Sequence, residues 1–491
     1  MNTSIGCKRG LGICLSGGGF RASFYHIGVL IQMAELGLLR HVEVISTVSG
    51  GSIVGAAYFL KVKNLLESKT DEEIFDCDYL NLVNELEAEF LEAVQKNLRI
   101  RTFANPIKNM RMMASNYSRS DAIAELYEKH IYHRYLKPSG KWLSMRNLLI
   151  EPDNQKISPC DETLGNSNRI NKIPVIILNA TSLNSGHNWY FSGRSMGEVP
   201  PRNHIFKDID KKDRYRRIRY EDIKSEKKDF PLGSAVAASA GVPGLFPPMS
   251  ISGLYEGHTV QLVDGGVFDN QGVSGALDPL HVCQSLVVSD ASGQSEAIDK
   301  PETGLVNVLG ISNGIMMGRV REEVVNGLSE TVSNPNTHPN SLAFFHLTRG
   351  LFAKNINVID QDVNVQSDQN QRAGIVSSLE EFKVHKDMQT ALAHIRTDLD
   401  SFTHVEAGSL VANGYLMSKN QLEELKQSLP DSTSHDSAES KQPEHWNYKC
   451  YIEKLENNDN LLLLHLQIAN KMFFKPYIHL FKGTLDIRDS I

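Results

Sequence analysis

One stretch, residues 42–52 with the sequence VEVISTVSGGS, limits how this chain can fold. β-Branched residues fill its first part, and Ser49 follows them with two glycines behind it. This pattern predicts a buried strand that ends in a tight turn. Helical spacing begins at residues 53–60, so Ser49 is predicted at a sharp strand-to-helix turn. Nucleophilic serines take this position in the G-x-S-x-G elbow, although Thr47 replaces its first glycine here. By itself the stretch fits an ordinary turn equally well.

The first part of the chain predicts a β-α-β-α unit. Residues 11–15 are a short apolar run, and residues 16–22, SGGGFRA, end it with three glycines. Apolar residues at helical spacing follow, and Gly37 is well placed as a C-terminal cap. Strands joined by a helix run parallel. The glycine loop and Ser49 are therefore expected at neighbouring strand ends, where open α/β sheets bind their ligands.

Three hypotheses fit the glycine loop. Residues 17–22 match the dinucleotide pattern G-x-G-x-x-G/A, but that pattern needs an acid at the end of the second strand. Glu43, the acid of that strand, stands near its start. The loop amides could instead form an oxyanion hole beside Ser49, with donors at Gly17, Gly18 and Gly19. The third alternative is a purely structural turn.

A second catalytic candidate comes much later in the chain. Residues 259–263 predict a buried strand, and residues 264–270, DGGVFDN, follow directly. Asp-Gly is an ordinary turn signal, so Asp264 alone predicts only a turn. A carboxylate at a strand end can also accept a serine proton, which makes Asp264 the candidate base for Ser49. Other buried strands are predicted at residues 174–181, 286–290 and 342–347, a helix at 305–328, and one or two helices at 407–429.

Composition narrows the functional classes. The chain has 491 residues, 41% of them hydrophobic, so it can bury a large core. Its net charge of -7 argues against nucleic acid as a general partner. The six cysteines lack metal-ligand and disulfide-framework spacing, which indicates reduced thiols. The chain shows neither a secretion signal nor an apolar run of about 18 residues. We therefore expect a cytoplasmic protein, soluble or peripheral to a membrane, with no metal and no cofactor.

Two stretches outside these motifs allow either a structural or a lipid-binding interpretation. Residues 65–168 predict a largely helical insert over the sheet, with Ser118 as one helix N-cap. Its methionine-rich piece, residues 109–113, would pack in a core or contact lipid. Residues 214–219, RYRRIR, would form a solvated loop or contact lipid phosphate.

Taken together, the motifs resemble those of the patatin-like phospholipase family of lipid acyl hydrolases. The matching segments are residues 17–21, 47–51, 238–243 with 246–248, and 264–266, in the family's order. The resemblance implies that Ser49 is the nucleophile and Asp264 its acidic partner, with oxyanion donors in the glycine loop. It also implies a three-layer α/β/α sandwich with a mainly parallel central sheet. Support for the elbow and loop would come from Arg21, Thr47, Gly50, Gly51, Gly265 and Gly266.

The resemblance thus implies hydrolysis of phospholipids or other acyl lipids by a Ser-Asp dyad. Thr47 would crowd a strained turn. Because of Thr47 and the insert, the alternative is a gated or non-catalytic protein that binds membrane lipid. An acyl-thioester hydrolase or an acyltransferase would use the same dyad. We expect the hydrolase domain at residues 8–429, a solvated linker at 430–444, and an amphipathic extension at 445–491 that lies on a membrane or packs on the body.

Overall fold

The structure is a computed structural model. It describes residues 9–103, 110–111, 117–135, 142–152, 166–199, 213–224, 226–278, 282–293, 300–301, 303–332, 339–351, 382–429 and 448–471. The strands are β1 Arg9–Leu15, β2 Val42–Val48, β3 Val175–Ser182, β4 Asn188–Phe191, β5 Ser195–Glu198, β6 Ile218–Arg219, β7 Met249–Tyr255, β8 His258–Asp264, β9 Cys283–Asp290 and β10 Ser341–His346. Within the described residues they form one ten-stranded sheet in the order β10-β9-β1-β2-β3-β4-β5-β6, and β8 pairs with both β3 and β7.

The helices of the described part flank this sheet. They are α1 Gly19–Glu35, α2 Gly50–Ser68, α3 Asp76–Gln95, α4 Leu98–Phe103, α5 Arg119–Tyr127, α6 Leu232–Ser239, α7 Gly266–Asp269, α8 Val273–Ala276, α9 Leu305–Val332, α10 Lys386–Ala393, α11 His404–Ser428, α12 Lys449–Glu456 and α13 Asn460–Lys471. Gly37 has φ 69° just after α1, as expected of a C-terminal cap glycine.

The five strands β10, β9, β1, β2 and β3 run parallel to one another. Their side chains alternate between two cores: in β1, Ile13 and Leu15 face one core and Cys14 faces the other. Helices α1, α2, α3 and α11 supply the first core, whereas α8 and α9 supply the second. A parallel sheet must be covered on both faces. The three-layer α/β fold predicted from the sequence is therefore confirmed.

An antiparallel half extends this sheet beyond β3. β4, β5 and β6 add to one side in turn, and β7 and β8 form a hairpin that joins β3 through β8. The sequence did not predict β4, β5, β6 or β7. β4 and β5 have four residues each and β6 has two, so alternation has too few positions to show. The sheet is therefore mixed, and its parallel half carries the Ser49 turn.

The predicted insert begins inside the core layer rather than above it. Phe90 of α3 packs against Phe24 of α1, with ring centroids 5.5 Å apart. Further along, Ser118 caps α5 as predicted, because its side chain accepts the amide of Asp121. Most of the methionine-rich piece lies outside the described residues.

The C-terminal helices α12 and α13 pack back onto the body. Tyr448, Leu455 and Leu466 are buried there, while Leu461 and Leu464 on the other side of α13 are exposed. The predicted linker at 430–444 lies outside the described residues. Across the described ranges, no helix combines the length and apolar character needed to cross a membrane.

Candidate active site

Ser49 lies in the turn between β2 and α2. Its backbone has φ 51° and ψ -120°, a combination that costs a residue with a side chain about 1–3 kcal/mol. The residue is 6% exposed. Its amide donates to Ser239 Oγ at 3.1 Å, so the end of α6 holds the turn from outside. The structure thus places Ser49 in a strained strand-to-helix turn, the local geometry that the sequence predicted.

Gly50 and Gly51 let this turn touch the glycine loop. A Cβ at Gly50 would lie 2.0 Å from the carbonyl oxygen of Gly19, and one at Gly51 would lie 2.3 Å from that of Leu15. Both obstacles are backbone atoms, which cannot rotate away. The N-terminus of α2 can therefore approach the end of β1 only without side chains at these two positions.

Thr47 is accommodated by a glycine that the sequence analysis did not single out. A Cβ at Gly55 would lie 2.6 Å from Thr47 Cγ2, so the Thr47 methyl fills the space that a side chain at Gly55 would take. Thr47 itself belongs to β2, where β-branched residues are favoured. The expected crowding at the elbow is therefore relieved one helical turn further on in α2.

Asp264 ends β8 and is 6% exposed. Its Oδ1 accepts the Gly266 amide at 2.7 Å, and no group in the described residues has hydrogen-bond geometry to its Oδ2. Burial raises the pKa of the Asp264 carboxyl to about 6, while the nearby Ser49 hydroxyl and the Gly266 amide act to lower it. The Ser49 hydroxyl thus lies close enough to the Asp264 carboxyl to affect its pKa, and one carboxyl oxygen has no other partner among the described residues.

The sheet topology brings Ser49 and Asp264 together along one edge of β3. Val48 pairs with Asn179 on that edge, and Asp264 pairs with Ala180, the next residue of β3. β4 occupies the opposite edge, because it pairs with both of these β3 residues. β2 and β8 therefore meet end to end, with Ser49 following the last residue of one strand and Asp264 closing the other.

Gly265 allows this close meeting of strand ends. A Cβ there would lie 2.3 Å from the Asn179 carbonyl oxygen and 3.2 Å from Val48 Cγ1. A Cβ at Gly266 would lie 2.5 Å from Asn270 Oδ1, a side-chain atom, so the constraint there is weaker than the backbone contact at Gly265. Both glycines of the Asp264 turn thus have a steric reason to be glycine.

Gly17 differs from the role expected for it. Its amide donates to the carbonyl oxygen of Asn270 at 3.0 Å, so it is not free to bind a developing oxyanion. A Cβ at Gly17 would lie 3.1 Å from Ser49 Cβ and 2.3 Å from Asn270 Oδ1. Gly17 therefore serves a steric role: without a side chain there, the glycine loop can pass close to Ser49.

Gly18 and Gly19 retain free amides. Both have positive φ, 142° and 60°, which side chains disfavour. Within the described residues, neither amide donates to an acceptor. The same holds for Gly50, the first residue of α2, where helix amides have no internal partner. Donors at the N-termini of α1 and α2 thus flank Ser49.

Arg21 fastens the glycine loop rather than facing solvent. Its guanidinium donates to the carbonyl oxygens of Ile395 at 2.8 Å and Ala291 at 3.1 Å, and the residue is buried. Burial lowers the pKa of Arg21 to about 10, against the opposing effect of Asp290. Of the roles considered for Arg21, the structure supports orientation of the loop.

Sequence reasoning missed two residues near Ser49 and Asp264. Asn270 holds the loop by accepting the Gly17 amide and donating to Ser292 Oγ at 2.7 Å. Tyr127 of α5 is buried, and its hydroxyl has no hydrogen-bond partner in the described residues. Burial raises the pKa of Tyr127, and the nearby charge of Asp264 raises it further. Asn270 lay within a motif, whereas nothing local singled out Tyr127.

Two other candidates, His26 and Arg217, make buried or part-buried contacts that serve the fold. His26 accepts from Ser289 Oγ and donates from Nε2 to the Ser16 carbonyl oxygen at 2.9 Å, and burial lowers its pKa to about 4. In the basic cluster, Arg217 pairs with Asp278 at 2.5 Å and Arg219 pairs with Glu221 at 3.3 Å. No group of three metal-binding side chains occurs in the part of the chain described above.

Two solved structures illustrate what this chain is similar to, both at low identity. Human GIVD cytosolic phospholipase A2 in complex with methyl gamma-linolenyl fluorophosphonate is 13% identical, with a TM-score of 0.41 over 86% of this chain and 58% of that chain. VipD from Legionella pneumophila is also 13% identical, with a TM-score of 0.26 over 95% of this chain and 92% of that one. The chain thus spans less than two thirds of the human enzyme's length. No curated protein sequence matches it.

A family profile gives the stronger comparison. The profile described as patatin-like phospholipase matches residues 13–277, more than half of the 491 residues. The match starts within β1 and ends just after α8, so it includes the glycine loop, the Ser49 turn and the Asp264 turn. This chain belongs to the patatin-like phospholipase family.

Proposed function

We propose that the chain is a lipid acyl hydrolase in which Ser49 and Asp264 form the catalytic dyad. The observation that carries the proposal is the meeting of β2 and β8 at Asn179 and Ala180 of β3, which sets a strained serine against a buried carboxylate. Family membership supports an acyl lipid, such as a phospholipid, as the substrate class.

In the first step, Asp264 Oδ2 takes the hydroxyl proton of Ser49 while Ser49 Oγ attacks the ester carbonyl carbon. Burial favours this transfer, because it raises the pKa of Asp264 to about 6 and so makes the carboxylate a stronger base. At neutral pH the group is still mostly ionised. Asp264 then returns the proton to the leaving alcohol, which departs as the acyl-serine forms.

The amides of Gly18 and Gly19 would stabilise the oxyanion, with Gly50 as a third donor. Within the described residues these amides donate to no acceptor, and they lie at the N-termini of α1 and α2, which favour negative charge. Loss of one such donor typically costs about 3–4 kcal/mol of transition-state stabilisation. Water, deprotonated by Asp264, then attacks the acyl-serine carbonyl carbon. The bond to Ser49 Oγ breaks, Asp264 returns the proton to Ser49 Oγ, and the fatty acid is released.

The environment of the dyad also favours gated access. Ser49 and Asp264 are each 6% exposed, so a long acyl chain needs an opening. Apolar side chains nearby are exposed: Leu245 to 49%, Phe268 to 38% and Val242 to 37%. Val242 follows Gly241, whose carbonyl accepts the Asp264 amide at 3.0 Å. We assign these three side chains to the path of the acyl chain, and a peripheral contact with membrane lipid would deliver it. A gated lipid-binding protein is the second candidate function.

A fluorophosphonate probe separates the two candidates. We expect the probe to label the wild-type protein but not Ser49→Ala. We also expect wild type to release fatty acid from phospholipid vesicles, whereas Ser49→Ala and Asp264→Asn should release none. Ser185→Ala is a matched control, since it removes a buried hydroxyl near Glu198 rather than near the dyad. Lipid binding without labelling, with and without vesicles, would support the binding protein instead. Assays with acyl thioesters and with alcohol acceptors would identify a thioesterase or an acyltransferase.

A further inference from the structure

Behind Ser49, buried groups form one continuous hydrogen-bonded chain. The Ser49 amide donates to Ser239 Oγ at 3.1 Å, and Ser239 Oγ lies 2.7 Å from Ser52 Oγ. Ser52 Oγ lies 2.9 Å from Thr47 Oγ1, which donates to the Ile177 carbonyl oxygen at 3.2 Å. The three hydroxyl side chains are fully buried. The chain links β2, the elbow, α2, α6 and β3.

One arrangement of the hydroxyl protons satisfies all four of these hydrogen bonds. A carbonyl oxygen only accepts, so the single hydroxyl proton of Thr47 goes to Ile177. Ser52 must then donate to Thr47, and Ser239 must donate to Ser52. Ser239 keeps a lone pair for the Ser49 amide. All four bonds therefore run in one direction, the arrangement in which neighbouring hydrogen bonds strengthen one another.

We propose that Thr47, Ser52 and Ser239 are positioning residues that hold the strained backbone of Ser49 in its reactive orientation. The proposal rests on Ser49 being the nucleophile. Ser49 has φ 51°, and the amide of the same residue donates to Ser239, the first hydroxyl of the hydrogen-bonded chain. A glycine at position 47 would leave Ser52 without its acceptor. Thr47 is thus the last hydroxyl of the hydrogen-bonded chain. We infer that threonine replaces the usual elbow glycine at this position because its hydroxyl is needed there.

Thr47 offers a matched pair of substitutions, because its methyl group and its hydroxyl have separate partners. The methyl packs in the space over Gly55, and the hydroxyl ends the hydrogen-bonded chain. Thr47→Val keeps the shape of the side chain and removes the hydroxyl that ends the hydrogen-bonded chain. Thr47→Ser keeps the hydroxyl and removes the methyl. Thr102→Val is the remote control, since Thr102 is fully buried and donates to the Leu98 carbonyl oxygen at 2.8 Å.

The kinetic test compares kcat and KM for these variants on the same ester. Misplacing a nucleophile by about 1 Å can cost a factor of about 100. We expect Thr47→Val, Ser52→Ala and Ser239→Ala to lower kcat by roughly 10 to 100 times with KM within about twofold. We expect Thr47→Ser to recover most of the loss and Thr102→Val to resemble wild type. The double variant Ser52→Ala/Ser239→Ala should be no slower than the worse single variant. Equal losses in Thr47→Ser and Thr47→Val, or fully multiplicative losses in the double variant, would overturn the proposal.

Hydrogen exchange tests the chain without relying on catalysis. In Ser239→Ala the Ser49 amide loses its acceptor, so its exchange should speed up at least about tenfold while exchange in β10 stays as in Thr102→Val. If Ser49→Ala retains hydrolysis, the proposed function fails, yet this measurement still decides whether the chain holds the elbow. Unchanged exchange at Ser49 in folded Ser239→Ala would overturn the positioning role even if Ser49 is the nucleophile.

Discussion

Two strand-to-helix turns meet at the candidate site, and they hold their residues in different ways. The turn from β2 to α2 places Ser49 at φ 51° and ψ -120°. The turn from β8 to α7 contains no such strain: Asp264 has no positive φ, and Gly265 has a helical φ of -61°. Asp264 is instead held by its burial and by the Gly266 amide.

The difference matches the proposed roles of the two residues. A nucleophile must present one atom in a defined direction, and a strained turn supported on several sides does this. A base must have a suitable pKa, and burial provides this without backbone strain. Elbow substitutions should therefore act on geometry, whereas Asp264 substitutions should act on charge.

The largest effect is expected at Gly50. A side chain there meets the carbonyl oxygen of Gly19 at 2.0 Å, so Gly50→Ala must separate the elbow from the glycine loop. We expect a loss of more than about 4 kcal/mol in the free energy of unfolding, or no folded protein. Denaturant unfolding measures it. A folded, fully active Gly50→Ala would show that the two loops do not need this contact.

The next largest effect is a gain in stability at Asp264. Its pKa is higher in the folded state than in the unfolded chain, so its ionised form opposes folding at neutral pH. Asp264→Asn should be more stable than wild type by about 2–3 kcal/mol at pH 7, while losing activity. The advantage should shrink as pH falls below about 6 and disappear near the ordinary carboxyl pKa of about 4. Equal stability of the two proteins at every pH would refute the raised pKa.

The rate should follow the same titration. Asp264 must be deprotonated to accept the Ser49 proton, and its pKa is raised to about 6. We expect kcat/KM to be level at neutral pH and to fall about tenfold per pH unit below 6, or about 1.4 kcal/mol. A pH profile on a neutral ester measures this. A midpoint near 4 would mean that Asp264 is solvated in the working enzyme.

A smaller effect on stability measures the backbone strain at Ser49 separately from its proposed catalytic role. Ser49→Gly and Ser49→Ala both remove the proposed nucleophile, but only glycine tolerates φ 51° without strain. Ser49→Gly should therefore be the more stable of the two by about 1 kcal/mol. At Asp264 the order should reverse, with Asp264→Ala more stable than Asp264→Gly. If the glycine variant were the more stable one at both positions, or the less stable one at both, backbone strain would not distinguish the Ser49 turn from the Asp264 turn.

The smallest effect is expected far from either turn. Gly310 lies in the second turn of α9, and a Cβ there would meet no atom within 4 Å. Gly310→Ala should raise stability by about 0.5–1 kcal/mol, because alanine is the better helix former. Thermal unfolding measures the gain. A loss of stability would indicate a contact at this helix surface and would make Gly310 a poor reference for Gly50.

Local patterns predicted the parts of the fold that local physics decides. The strand before Ser49, the cap at Gly37 and the N-cap at Ser118 follow from side-chain sterics and from hydrogen bonds a few residues long. The antiparallel strands β4, β5 and β6 were missed because short strands are stabilised mainly by their neighbours in the sheet. β7 was also missed, although it has seven residues. The predicted domain boundaries stay predictions.

For the candidate site, the sequence by itself determined which residue types stand at the strand ends: a serine, an aspartate and the glycines that let backbones approach. Only the tertiary structure decided their working state. The Gly17 amide is taken by Asn270, more than 250 positions away along the chain, and the pKa of Asp264 is set by burial. The hydroxyl chain behind Ser49 closes only when α6 and β3 are in place. Hydrogen bonding and desolvation depend on atoms that folding brings near, and spacing along the chain does not record them.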